Sequence, residues 1–176
     1  MGHPVLRAKA RPLERAEIRS TPVQQLIDDM LDTMNEYHGV GLAAPQVHEG
    51  LRIFVAVLDA GEPGDDAKGT EPKEEPIAII NPEIIIVGPE IVEDWEGCLS
   101  IPDVRGRVPR AKEIKVRAFD RDGERIELSA HGFPARVIQH EADHLDGVLF
   151  FDRMKTLESL TFLDEYARYW RKTGDD

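Results

Sequence analysis

The chain has 176 residues, 22 Lys and Arg against 34 Asp and Glu, a formal charge of −12, and a single cysteine. That length can bury one core without staples, and 41% hydrophobic with 32% charged residues is ordinary for a soluble globular protein. The acidic balance disfavours a non-specific phosphate-backbone binder, a lone cysteine excludes an internal disulfide framework, and the longest apolar stretches are strand-sized, too short to span a bilayer. The expected compartment is the cytoplasm, where a thiol stays reduced.

The first element expected is a helix. Thr21 is read as its N-cap, with Pro22 at the first helical position and Gln24 completing a capping-box pattern. Val23, Leu26, Ile27, Met30, Leu31 and Met34 recur at three- and four-residue spacing, and His38-Gly39 marks the end. Residues 39–46 fit no regular period. A strand is expected over 52–58, then a solvated loop over 59–76, rich in Gly, Pro and charge. Short strands follow at 77–80, 83–87 and 90–94, punctuated by Asn81-Pro82 and Gly88-Pro89. Over 113–120, Ile114, Val116 and Ala118 alternate with charged neighbours, and Asp122-Gly123 signals a hairpin into 124–128. A second helix runs from about Pro134 to Asp146, closed by Gly147. A third is expected from about Thr156 to Lys172, with Leu157, Leu160, Leu163, Tyr166 and Trp170 on one face. The pattern is that of one α+β domain over residues 1–176, with short antiparallel sheets around the second helix and helices near both ends.

The chemistry concentrates on that second helix. Its Gln139-His140-Glu141-Ala142-Asp143-His144 run places two histidines at i and i+4, on one face, where both imidazoles can reach one metal ion. Glu141 sits beside the first ligand, able to reach a water on the metal. Ile138, Ala142, Leu145 and Leu149 form a separate apolar stripe. A catalytic metal site commonly takes three protein ligands and leaves one position open. Cys98, in Trp95-Glu96-Gly97-Cys98-Leu99-Ser100, is one candidate for the third; a buried small hydrophobe and a thiol nucleophile are its other readings. A metzincin-type third histidine fails, because Phe150 occupies its position. Glu158 and Glu165 remain open as downstream ligands, although neither lies in a motif.

Three motifs together resemble the peptide deformylases. Gly39, Gly41, Ala43, Ala44 and Gln46 match Gly-x-Gly-x-Ala-Ala-x-Gln, residues 96–100 match Glu-Gly-Cys-Leu-Ser, and residues 139–144 match Gln-His-Glu-x-Asp-His, in the right order. The likeness runs from the Gly-His-Pro-Val-Leu-Arg start to Phe150, and the C-terminal segment is similar to that of the bacterial class ending in a helix.

The resemblance implies a hydrolase of protein biosynthesis that removes the formyl group from N-formylmethionyl peptides. Cys98, His140 and His144 would be ligands of one divalent metal, normally Fe²⁺ in the family, with Zn²⁺, Ni²⁺ or Co²⁺ able to replace it. A metal-activated water would attack the formyl carbon, with Glu141 as general acid and base. The Leu99 N–H and the Gln46 side chain would hold the oxyanion. Gly41, Arg105, Val137 and Ile138 are the substrate-contact candidates, Trp95 a further wall residue, and Glu96 a residue that orients its neighbours. The expected partners are the formylmethionyl peptide and, through the C-terminal helix, the ribosome; the acidic Gly174-Asp175-Asp176 end does not favour RNA contact. The chain is expected to be a monomer.

Overall fold

The computed structural model describes residues 1–58 and 75–171; the loop expected at 59–76 lies almost wholly outside them. A 3-10 turn (Pro4–Arg7) and a short helix α1 (Arg15–Ile18) lead into α2 (Thr21–Glu36). The N-cap of α2 is Ser20, one residue earlier than expected. Gln24 forms no capping box; its amide donates instead to the carbonyls of Ile18 and Arg121, each at 2.8 Å, tying the helix start to a distant turn.

Strands β1 (Gly41–Ala43), β2 (Ile53–Ala56), β3 (Ile77–Ile86), β4 (Ile91–Cys98), β5 (Ile101–Ala111), β6 (Glu113–Phe119) and β7 (Arg125–His131) precede helix α3 (Phe133–Leu145). A two-residue strand β8 (Thr161–Phe162) and helix α4 (Leu163–Tyr169) complete the order. One antiparallel sheet has strand order β1-β2-β3-β6-β7, and a second has β4-β5-β8.

The larger sheet is filled between two helices. Phe54 and Ala56 of β2 join Ile79, Ile114, Val116, Ile138 and Leu145 on the α3 side. Their sequence neighbours Ile53 and Val55 join Ile27, Met30, Met34 and Ile80 on the α2 side. Side chains alternate across a strand, so the unbroken apolar run of β2 is what a strand covered on both faces requires. β6 alternates because only its Ile114, Val116 and Ala118 face is covered.

Two expected strands are one. The strands expected at 77–80 and 83–87 merge into the continuous β3, Ile77–Ile86, which carries an irregularity between Ile80 and Glu83. Asn81 takes a left-handed φ of 51° there, and its side chain accepts from the Leu13 N–H at 3.0 Å and donates to the Leu13 carbonyl at 2.8 Å. A bulge, rather than a turn, absorbs the Asn-Pro pair. β5 has no counterpart in the sequence reading, because Pro102, Gly106 and Pro109 interrupt its alternation. The terminal helix is also shorter than expected. Among the described residues of that span, Leu163–Tyr169 is helical, and Leu157 and Leu160, expected on its apolar face, precede it and are exposed. Among the described residues, no helix is long and apolar enough to cross a membrane.

Candidate active site

Helix α3 presents two stripes. Ala135, Ile138 and Leu145 enter the core, while Val137, His140 and Glu141 line a cleft of about 480 Å³. His144, one turn beyond His140, is 1% exposed. Across the cleft, Cys98 ends β4, where the tight turn Leu99-Ser100 leads into β5 and Cys98 pairs with Ile101. That hairpin places the Cys98 Sγ 3.3 Å from His144 Nε2. One donor atom from each of Cys98, His140 and His144 lies within 4.8 Å of the others. Two ligands of a tetrahedral ion stand about 3.5 Å apart when metal–sulfur is about 2.3 Å and metal–nitrogen about 2.05 Å. A buried thiol and two imidazoles at this spacing fit one divalent metal.

A polar scaffold holds the ligands. His140 Nδ1 is 2.9 Å from Glu96 Oε2, which leaves Nε2 as its other donor atom. Glu96 in turn accepts from Arg110 Nε at 2.9 Å, Arg110 Nη2 at 3.0 Å and Arg136 Nη1 at 2.8 Å. Arg110 also pairs with Asp143, which accepts from Arg153 Nη2 at 2.7 Å. Arg136 also donates from Nη1 to the Val108 carbonyl at 2.8 Å and from Nη2 to the Val92 carbonyl at 2.7 Å. Burial opposes the Glu96 charge, but hydrogen bonds with His140 and Arg110 hold its carboxyl well below the usual range.

The histidines diverge. Burial works against a proton on His140, yet hydrogen bonds to Cys98 and Glu96 and the charges of Glu141 and Glu96 raise its pKa well above the ordinary value. Burial, and then the positive charges at His140 and Arg110, push His144 well below it.

Glu141 is 5% exposed, and its Oε2 has no hydrogen-bond partner among the described residues. Burial pushes its carboxyl up to about 7, against the lowering effect of His140. Its side chain lies over Gly41: a Cβ there would stand 2.6 Å from Glu141 Oε1, so only glycine leaves the carboxylate its place. From the same segment, Gln46 Oε1 accepts from the Ala43 N–H at 2.7 Å, turning Nε2 toward Ser100 Oγ at 3.3 Å and Cys98 Sγ at 3.6 Å. An amide donor is thereby preset beside the cluster.

A family model for polypeptide deformylases matches residues 1–160. The chain belongs to this family. It is 44% identical over 166 residues to peptide deformylase 2 of Nostoc, covering 94% of this chain and 89% of that protein. It is 42% identical over 165 residues to the peptide deformylase of Thermus thermophilus, covering 93% and 84% of the two. A Met-Ala-Ser-bound class I type b peptide deformylase from Acinetobacter baumannii superposes with a TM-score of 0.78 at 40% identity, over 88% of this chain and 94% of that one. The Thermotoga maritima enzyme gives 0.76 at 40% identity, over 89% and 95%. Deformylases are metal-dependent hydrolases that remove N-formyl groups from nascent peptides, and Cys98, His140 and His144 bring together three side chains able to hold a metal ion.

Around that cluster the deformylase fold gathers most residues singled out in the sequence. Gly41, Gln46, Leu99, Arg105 and Val137 all line the cleft. Ile138 does not. It is fully buried among Phe54, Ile114 and Leu145, because one residue along a helix turns the side chain by about 100°. Arg105 folds across Gly97, where an added Cβ would meet its Nη1 at 2.0 Å. Glu158 and Glu165 stay outside the ligand cluster. Sequence reasoning missed Arg110 and Arg136. Arg110 shares the inward face of Gly106 and Val108 along β5, an alternation that Gly106 and the prolines hide in the sequence.

Proposed function

We propose that the chain deformylates N-formylmethionyl peptides with Cys98, His140 and His144 as ligands of one divalent metal and Glu141 as the proton carrier. The carrying observation is the unpartnered Oε2 of buried Glu141 beside three convergent donor atoms. Bound to those ligands, the metal, Fe²⁺ by family likeness, supplies Lewis acidity and makes water nucleophilic near neutral pH.

Glu141 accepts a proton from the water as it adds to the formyl carbon, and passes a proton to the leaving nitrogen as the C–N bond breaks. Formate and a free methionyl amine result. As negative charge develops on the formyl oxygen, the Gln46 amide and the Leu99 N–H donate to it; Gln46 is fixed in advance by its bond from Ala43. Glu96 orients His140, and Val137 with Gly41 bounds the space for the methionine end, with Arg105 beside the peptide backbone. The reading places a monomeric enzyme in the cytoplasm, meeting its peptides where they leave the ribosome.

The test is deformylation of formyl-Met-Ala-Ser by protein purified without oxygen, compared with Glu141→Gln. The variant should keep its metal, measured by elemental analysis, and lose turnover by about 10²- to 10⁴-fold. Near-normal turnover would remove Glu141 from the mechanism, and inactivity of the metal-loaded native chain would sink the reading as a whole.

A further inference from the structure

The cleft does not end at the metal cluster; it runs onto α4. Leu163, Tyr166 and Ala167 line it together with Cys98, His140 and Glu141, and their i, i+3, i+4 spacing makes them one helical face. A seven-residue helix is not stable alone, and no residue of α4 is buried. Its position comes from two attachments. The Trp95 ring meets Tyr166 edge-on at 5.0 Å and Trp170 at 5.8 Å. Just before the helix, Thr161 of β8 pairs with Arg105 of β5, on the strand that also borders the cleft.

A site this size matches a drug-sized ligand, more than a formylmethionyl group alone occupies. With its formyl group at Glu141, a peptide leaves the cluster through the same continuous cleft, advancing at most about 3.6 Å per residue. The half-buried Trp95, Leu163 and Tyr166 there offer apolar and aromatic surface, which favours apolar side chains and works against desolvating charged ones.

We propose that Trp95, Leu163 and Tyr166 form an apolar subsite for the side chains that follow methionine, so that the enzyme selects formyl peptides with apolar residues at the second and third positions. This rests on the deformylase reading of the cleft. Tyr166 acts as a specificity residue, touching the downstream peptide rather than the reacting atoms.

The test compares formyl-Met-Leu-Phe with formyl-Met-Ala-Ser on the metal-loaded enzyme. The native chain should favour the first in kcat/KM by roughly fivefold, the scale of one aromatic contact, with the difference carried by KM. Tyr166→Ala should bring the ratio close to one, Tyr166→Phe should keep it, and Tyr169→Ala, on the same helix but outside the cleft, should leave it unchanged. Native enzyme without the preference, or a preference that survives Tyr166→Ala, overturns the subsite. So does an equal gain for both peptides in Tyr166→Ala, which would make α4 an obstruction. If native enzyme cleaves neither peptide, the deformylase reading fails; if it cleaves both equally well, only the subsite does.

Discussion

Helices α3 and α4 border the same cleft, yet they are held by opposite means. In α3, ten of thirteen residues are buried, including the charged Arg136, Glu141 and Asp143; in α4, none is. Two ion pairs made by α3 are sealed from water: Arg136 with Glu96, at 7% and 4% side-chain exposure, and Asp143 with Arg110, at 10% and 5%. The Arg168–Glu165 pair of α4 is open at 61% and 44%. The same contact chemistry therefore has different weight. A buried pair that loses one partner leaves an uncompensated charge, whereas an exposed pair is screened and contributes little. In the proposed function, reaction chemistry needs fixed atoms and stands on the first helix, while the proposed choice among peptides tolerates softer contacts and falls to the second.

The difference can be broken at several points. Cys98→Ala should have the largest effect, abolishing measurable deformylation together with bound metal; full metal content with unchanged affinity would remove Cys98 from the ligand set. Arg110→Met takes a buried partner from both Glu96 and Asp143, leaving them Arg136 and Arg153, and should cost about 3 kcal/mol in chemical denaturation. Gly41→Ala should displace the Glu141 side chain and lower kcat by about 100-fold, the scale of a 1 Å misplacement, with the fold kept by circular dichroism. Glu96→Gln should weaken metal binding by about 10- to 100-fold in a chelator competition, because His140 loses its charged partner. At the small end, Arg168→Met on α4 should change stability by no more than about 0.5 kcal/mol. A loss as large as that of Arg110→Met would erase the contrast between the helices.

How legible each part was follows from how local its cause is. The span expected for α3, 134–146, differs from the observed Phe133–Leu145 by one residue at each end, because its period, Pro134 and Gly147 all act within the segment. The β6–β7 hairpin was legible for the same reason: Gly123 takes φ 72°, and Asp120 Oδ1 accepts from the N–H groups of Asp122 and Glu124 at 2.9 and 2.8 Å. β5 was not legible. It becomes a strand through pairing with β4 on one side and β8 on the other, against the resistance of its own prolines and glycine. The terminal helix was over-read, since Leu157 and Leu160 stay exposed, and Thr161–Phe162 pair with β5 instead.

At the site the division is similar. Two histidines at i and i+4 share a helical face in any α-helix, so two of the three candidate ligands were set by the sequence, and the three motifs named the family. Cys98 was only one of several third ligands until the β4–β5 hairpin brought its sulfur to 3.3 Å from His144. The separation of Val137 from Ile138, the Glu96–Arg110–Asp143 scaffold and the reach of the cleft onto Tyr166 likewise came from tertiary structure. Period, capping and residue chemistry are written within a few residues of one another; a buried charge network and a cleft wall exist only when segments far apart in the chain close around the same water-free space.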